Sequence, residues 1–128
     1  MQVFRHADAQ PEEDNREIFT GAVHTQPLVT ESLGERVLLT LVRFSAGGRT
    51  KWHRHSFEQG LVIVEGRGIV ANEADEHLVT PGDVVYVPAD EKHWHGGTET
   101  TAMAHIAISQ RGETTVLEAV ERIQTPNA

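Results

Sequence analysis

Two histidines one residue apart, His53-Arg54-His55, precede an amide at Gln59, and a second pair, His93-Trp94-His95, follows further down the chain. In extended backbone, side chains two residues apart project to the same face. His53 and His55 therefore emerge together, with Trp52 and Arg54 on the opposite side. Gln59 keeps the same parity, and His93 and His95 share a face by the same rule. Imidazole nitrogen suits zinc, copper, iron, nickel and manganese, so histidines from two strands with one oxygen donor form a metal site. A fifth histidine, His105, sits inside the run Met103-Ala104-His105-Ile106-Ala107. One His-x-His on a wet strand means little. Five imidazoles inside one barrel, with neither metal nor catalysis to use them, would be costly to desolvate.

The elements that must position these residues are short. Apolar runs separated by turn residues give candidate strands at 17–23, 36–44, 60–65, 68–71, 77–80, 83–87, 101–109 and 114–120. Short strands at such spacing define an all-β sandwich or barrel, whose interior is where side chains from separate strands converge. The stretch 37–44 alternates poorly, which suits a strand between two apolar layers. Residues 115–124 fit a short carboxy-terminal helix as well as a strand, and both remain open. Residues 1–16 are polar and carry Glu12-Glu13-Asp14, so they read as an amino-terminal arm ahead of one barrel domain over 17–124. Trp52, Trp94 and Tyr86 are read as packing the barrel.

A chain of 128 residues is enough for one domain. The absence of cysteine excludes disulfides, thiol nucleophiles, Cys-ligated zinc and iron–sulfur clusters. A net charge of -8 with scattered basic residues argues against a nucleic-acid partner. No apolar stretch reaches membrane-spanning length, and Met1–Ala9 has no secretory h-region, so no membrane partner and a cytoplasmic location are expected.

The two motifs together resemble the cupin superfamily. Its first motif, Gly-x5-His-x-His-x3,4-Glu-x6-Gly, is matched by Gly47, His53, His55, the Gln59 position and Gly66. Its second, Gly-x5-Pro-x-Gly-x2-His-x3-Asn, is matched by Gly82, Pro88 and His93. The resemblance implies a jelly-roll type β-barrel and the metal ligands His53, His55, Gln59 and His93. Three positions depart from the pattern. Gln59 replaces Glu, Asp90 replaces Gly, and Gly97 replaces Asn. Asp tolerates left-handed backbone better than most residues, so Asp90 keeps the turn.

Glutamine leaves a divalent site with a net charge of about +2, where a carboxylate would leave about +1. That makes a stronger Lewis acid and removes the anion that would stabilise a higher oxidation state. Glu58 has the wrong parity to replace the carboxylate. The segments Thr50–His53, Glu58–Gly60, Glu91–Gly96 and Thr100–Ile108 resemble the small manganese-dependent cupin hydroxynitrile lyases, which hold the metal with three His and one Gln. The resemblance implies one divalent ion per chain, Mn first with Fe, Zn or Ni as other candidates, and a lyase acting on a small carbonyl or cyanohydrin-like compound. Met103, His105 and Ala107 share a face, and if that face lines the cavity, Met103 and Ala107 leave room for a ligand. His105 is the first choice for general base and His95 the second. The rival readings are a dioxygenase for an enolic or phenolic compound and a non-catalytic module binding a small ligand. His6, His24 and His77 are read as surface residues. Cupin relatives commonly dimerise, so a homodimer is the expected assembly.

Overall fold

β-Branched and leucine-rich runs with turn residues between them leave this chain little choice but strands. The computed structural model describes residues 1–3, 5, 10–31, 33 and 36–121. Among these it forms β1 (Glu12–Glu13), β2 (Phe19–Thr20), β3 (Val23–Val29), β4 (Leu38–Phe44), β5 (Arg49–Thr50), β6 (His53–His55), β7 (Gln59–Gly66), β8 (Gly68–Asn72), β9 (Glu76–Val79), β10 (Val84–Val87), β11 (His93–Gly97), β12 (Met103–Ser109) and β13 (Thr114–Val116). One sheet runs β1-β3-β4-β12-β7-β10. The other runs β13-β6-β11-β5-β2, with β8 on β11 and β9 on β8. No helix among the described residues is long and apolar enough to cross a membrane.

The inner faces of the two sheets meet in one core. Val23, Phe44, Leu61, Ile63 and Met103 from the first sheet pack with Val70 and Val79 from the second. A second cluster of Ile69, Ala71, Trp94 and Val120, joined by Trp52 and Leu78, covers the outer side of β11. As a result β11 is buried along its whole length. His93 and His95 can then face inward while Trp94 anchors the strand from behind.

The carboxy-terminal helix does not form within the described part of 115–124. After β13 the chain stays extended over Trp52: Leu117 N–H donates to Trp52 C=O at 2.7 Å, and Trp52 N–H donates to Glu118 C=O at 2.9 Å. The Arg49 guanidinium holds Val120 C=O through two donors. With these backbone groups already paired to the barrel, the i→i−4 ladder of a helix has nothing to gain. Residues 122–124 lie outside the described residues, as does His6.

Other boundaries shift for local reasons. The expected strand 17–23 breaks at Gly21, whose φ of 79° is left-handed, and a strand unread in the sequence, β3, runs on to Val29. Its Pro27 is tolerated where the β3–β4 register shifts. Trp94 and Trp52 pack as expected, but Tyr86 is 63% exposed. His77 is exposed and His24 half-buried. Asp90 adopts φ 66° and donates its N–H to His55 C=O at 2.7 Å, so the turn survives without glycine.

Candidate metal centre

Strand register brings the histidines together. β6 pairs with β11 so that His53 and His93 stand directly opposite, with ring centroids 4.2 Å apart. His55 lies 4.8 Å from His53 and 5.4 Å from His93 on the same measure. One ring nitrogen from each of the three residues falls within 4.8 Å of the others. Gln59, at the start of β7, interacts with His55 and is buried with it.

The outer nitrogens are held by the backbone and by one hydroxyl. His53 Nδ1 donates to Lys51 C=O and His93 Nδ1 to Glu91 C=O, each at 2.8 Å. A carbonyl only accepts, so both rings carry the proton on Nδ1 and leave the Nε2 lone pair free. His55 Nδ1 pairs with Thr114 Oγ1 at 2.8 Å. The amide of Gln59 gives Nε2–H to Ser109 Oγ at 3.2 Å.

What faces inward then lacks a partner. His55 Nε2, His93 Nε2 and Gln59 Oε1 are buried without a hydrogen bond among the described residues. Buried acceptors left this way are rare and costly. One divalent cation would satisfy all of them, and nitrogen with amide oxygen is a donor set such ions accept. Burial, reinforced by neighbouring histidines, pushes His53 down to about 3 and His55 to about 4. Burial also lowers His93. All three are therefore neutral near pH 7, the state a ligand requires.

Beside this cluster His95 and His105 form a second constellation. His105 Nε2 and His95 Nδ1 share a hydrogen bond of 2.9 Å, while His95 Nε2 and His105 Nδ1 have no hydrogen-bond partner among the described residues. Burial lowers His105 to about 4, and burial with the surrounding imidazoles takes His95 well below its ordinary value. Phe44 wedges against both rings.

A cavity of about 350 Å³ opens onto His53, His55, Gln59, His95 and His105, walled by Phe19, Val42, Phe57 and Ala107. Met103 does not reach it. It shares a face with His105, but lies beyond a register shift between Ala104 and His105 and packs into the core. Glu58 is exposed, as its parity requires. Thr50, Ser109 and Thr114 also line the cavity. No motif marks Ser109 or Thr114, and only the pairing of β13 with β6 places Thr114 opposite His55.

An all-β barrel with inward imidazoles from β6 and β11 is the arrangement the sequence motifs implied. Residues 40–109 match the model of the Cupin domain family, and the chain belongs to that family. Among its relatives is an (R)-mandelonitrile lyase from Granulicella tundricola, 38% identical over 106 residues that cover 82% of this chain and 81% of that one. A dimethylsulfoniopropionate lyase, DddW, from Ruegeria pomeroyi is 29% identical over 75 residues, 57% of this chain and 49% of that one. Among solved structures, a cupin-like protein from Thermotoga maritima superposes with a TM-score of 0.81 at 29% identity, covering 93% of this chain and 90% of that one.

Proposed function

We propose that the chain is a manganese-dependent lyase that cleaves, or in reverse forms, a small cyanohydrin. His53, His55, Gln59 and His93 would hold the ion, and His105 with His95 would move the proton. The likeness to a mandelonitrile lyase over four-fifths of both chains supports this reading. So does the neutral Gln59 amide, which leaves the ion's charge less compensated than a carboxylate would. When bound, the ion supplies Lewis-acid polarisation of a substrate oxygen.

The observation that carries the reading is the His95–His105 pair. The two rings share one proton between Nε2 and Nδ1, and their outer nitrogens have no hydrogen-bond partner among the described residues. Whichever way the shared proton lies, one outer nitrogen is a base and the other an N–H donor. Cyanohydrin cleavage needs both. The base takes the hydroxyl proton, the carbon–carbon bond breaks with its electron pair leaving on cyanide, and the donor returns a proton to give hydrogen cyanide and an aldehyde. Phe19, Phe57 and Val42 provide an apolar wall for the substrate's carbon skeleton.

The test is benzaldehyde release from mandelonitrile by protein stripped with chelator and by protein reloaded with Mn²⁺. The reading expects turnover only after reloading. Equal rates with and without the ion, or no release from the reloaded protein, would overturn it.

A further inference from the structure

We infer that Thr114 is a positioning residue for the metal centre, and that its hydroxyl fixes His55 in the orientation and tautomer needed to ligate. This rests on the reading of His55 as a ligand.

The three imidazoles are not held alike. His53 and His93 donate to backbone carbonyls two residues before them, at Lys51 and Glu91. Those acceptors cannot become donors, so the Nε2 lone pair of each ring is guaranteed by local backbone alone. His55 has no such carbonyl. Its Nδ1 meets Thr114 Oγ1 at 2.8 Å, from a strand 59 residues further on. A hydroxyl both donates and accepts, so His55 keeps its Nε2 lone pair free only when Thr114 Oγ1 accepts the Nδ1 proton.

The backbone at Thr114 is held in place, while the residue itself stays exposed. It stands opposite His55 in the β13–β6 ladder. The strand is clamped before it by Ser56 N–H to Glu113 C=O and Glu113 N–H to Ser56 Oγ, both at 2.9 Å. After it, Leu117 and Glu118 bond to Trp52. Phe57 stacks on the His55 ring at 4.8 Å and limits its rotation without choosing a tautomer. The carboxy-terminal edge strand thus supports a site whose ligands all come from the two sequence motifs.

The experiment compares Thr114→Val, which keeps shape and loses the hydroxyl, with Thr114→Ser, which keeps the hydroxyl. Mn²⁺ affinity is read by competition with a chelating indicator. Thr114→Val should bind about tenfold or more weakly and Thr114→Ser within about twofold of the unaltered chain. A long-range ¹H–¹⁵N spectrum of the metal-free protein gives a second reading. His53 and His93 should stay in the Nδ1–H form in all three proteins, with only His55 changing in Thr114→Val. Unchanged affinity and an unchanged His55 tautomer in Thr114→Val would overturn the inference. If the unaltered chain binds no Mn²⁺, the metal reading itself fails, and the tautomer comparison still decides whether Thr114 sets His55.

Discussion

His105 Nε2 and His95 Nδ1 lie 2.9 Å apart inside the barrel, and each ring keeps an outer nitrogen without a hydrogen-bond partner among the described residues. If this pair moves the proton, removing one ring should abolish chemistry and leave the ion in place. His105→Ala is expected to lower kcat by roughly 10²- to 10⁴-fold, the usual worth of a general base. Its metal content by elemental analysis should match the unaltered protein. Normal turnover in His105→Ala would remove it from the mechanism.

Gln59→Glu should separate affinity from reactivity. A carboxylate adds a negative charge to the donor set, so Mn²⁺ should be held more tightly while the bound ion polarises substrate oxygen less. Chelator competition and mandelonitrile cleavage on one preparation read the two effects. Faster cleavage in Gln59→Glu would contradict the role given to the amide.

Acid should destabilise the metal-free protein. His105 titrates near 6.5 when unfolded and at about 4 in the fold, because burial penalises its charged form. Between those values the unfolded chain binds a proton that the folded chain does not, so stability rises with pH there. The stabilisation is complete above pH 6.5 and is lost as pH falls toward 4, at roughly 3 kcal/mol for this one ring. His53 and His55 act in the same direction. Urea unfolding midpoints at pH 7 and pH 4.5 test this, and the difference should shrink in His105→Gln. A midpoint that rises on acidification would show that the ring is not held neutral.

Restoring the family asparagine should fail. A Cβ at Gly97 would meet Thr101 C=O at 2.5 Å and Ser45 C=O at 2.9 Å, both backbone atoms. Gly97→Asn is expected to cost about 1–3 kcal/mol, the range for overpacking. Thermal melting reads the effect, and an unchanged Tm would mean that the Thr101 and Ser45 backbone yields freely.

How much of this was legible in the residues depended on periodicity. His53, His55 and His93 were readable because strand geometry repeats every two residues, and the register of β6 against β11 brought them together as that rule implied. The strands that carry them were harder to see. β5, β6 and β11 are built of Arg, Thr, His, Trp and Gly, so they lack the apolar alternation that marks β7 or β12. Met103 obeyed parity but lies deeper along the barrel, and depth is not encoded in alternation. The 115–124 stretch fitted two periods equally, and the contacts to Trp52 and Arg49 that decided it are long-range. Thr114 was invisible for the same reason: its part depends on a partner 59 residues away.

The most direct measurement is elemental analysis of the protein purified without added metal, set beside His53→Ala prepared in parallel. The three imidazoles and the Gln59 amide predict about one divalent ion per chain, which the proposed function takes to be manganese, and its loss from the variant. A metal-free protein that also fails to take up Mn²⁺ on titration would contradict the account at its centre.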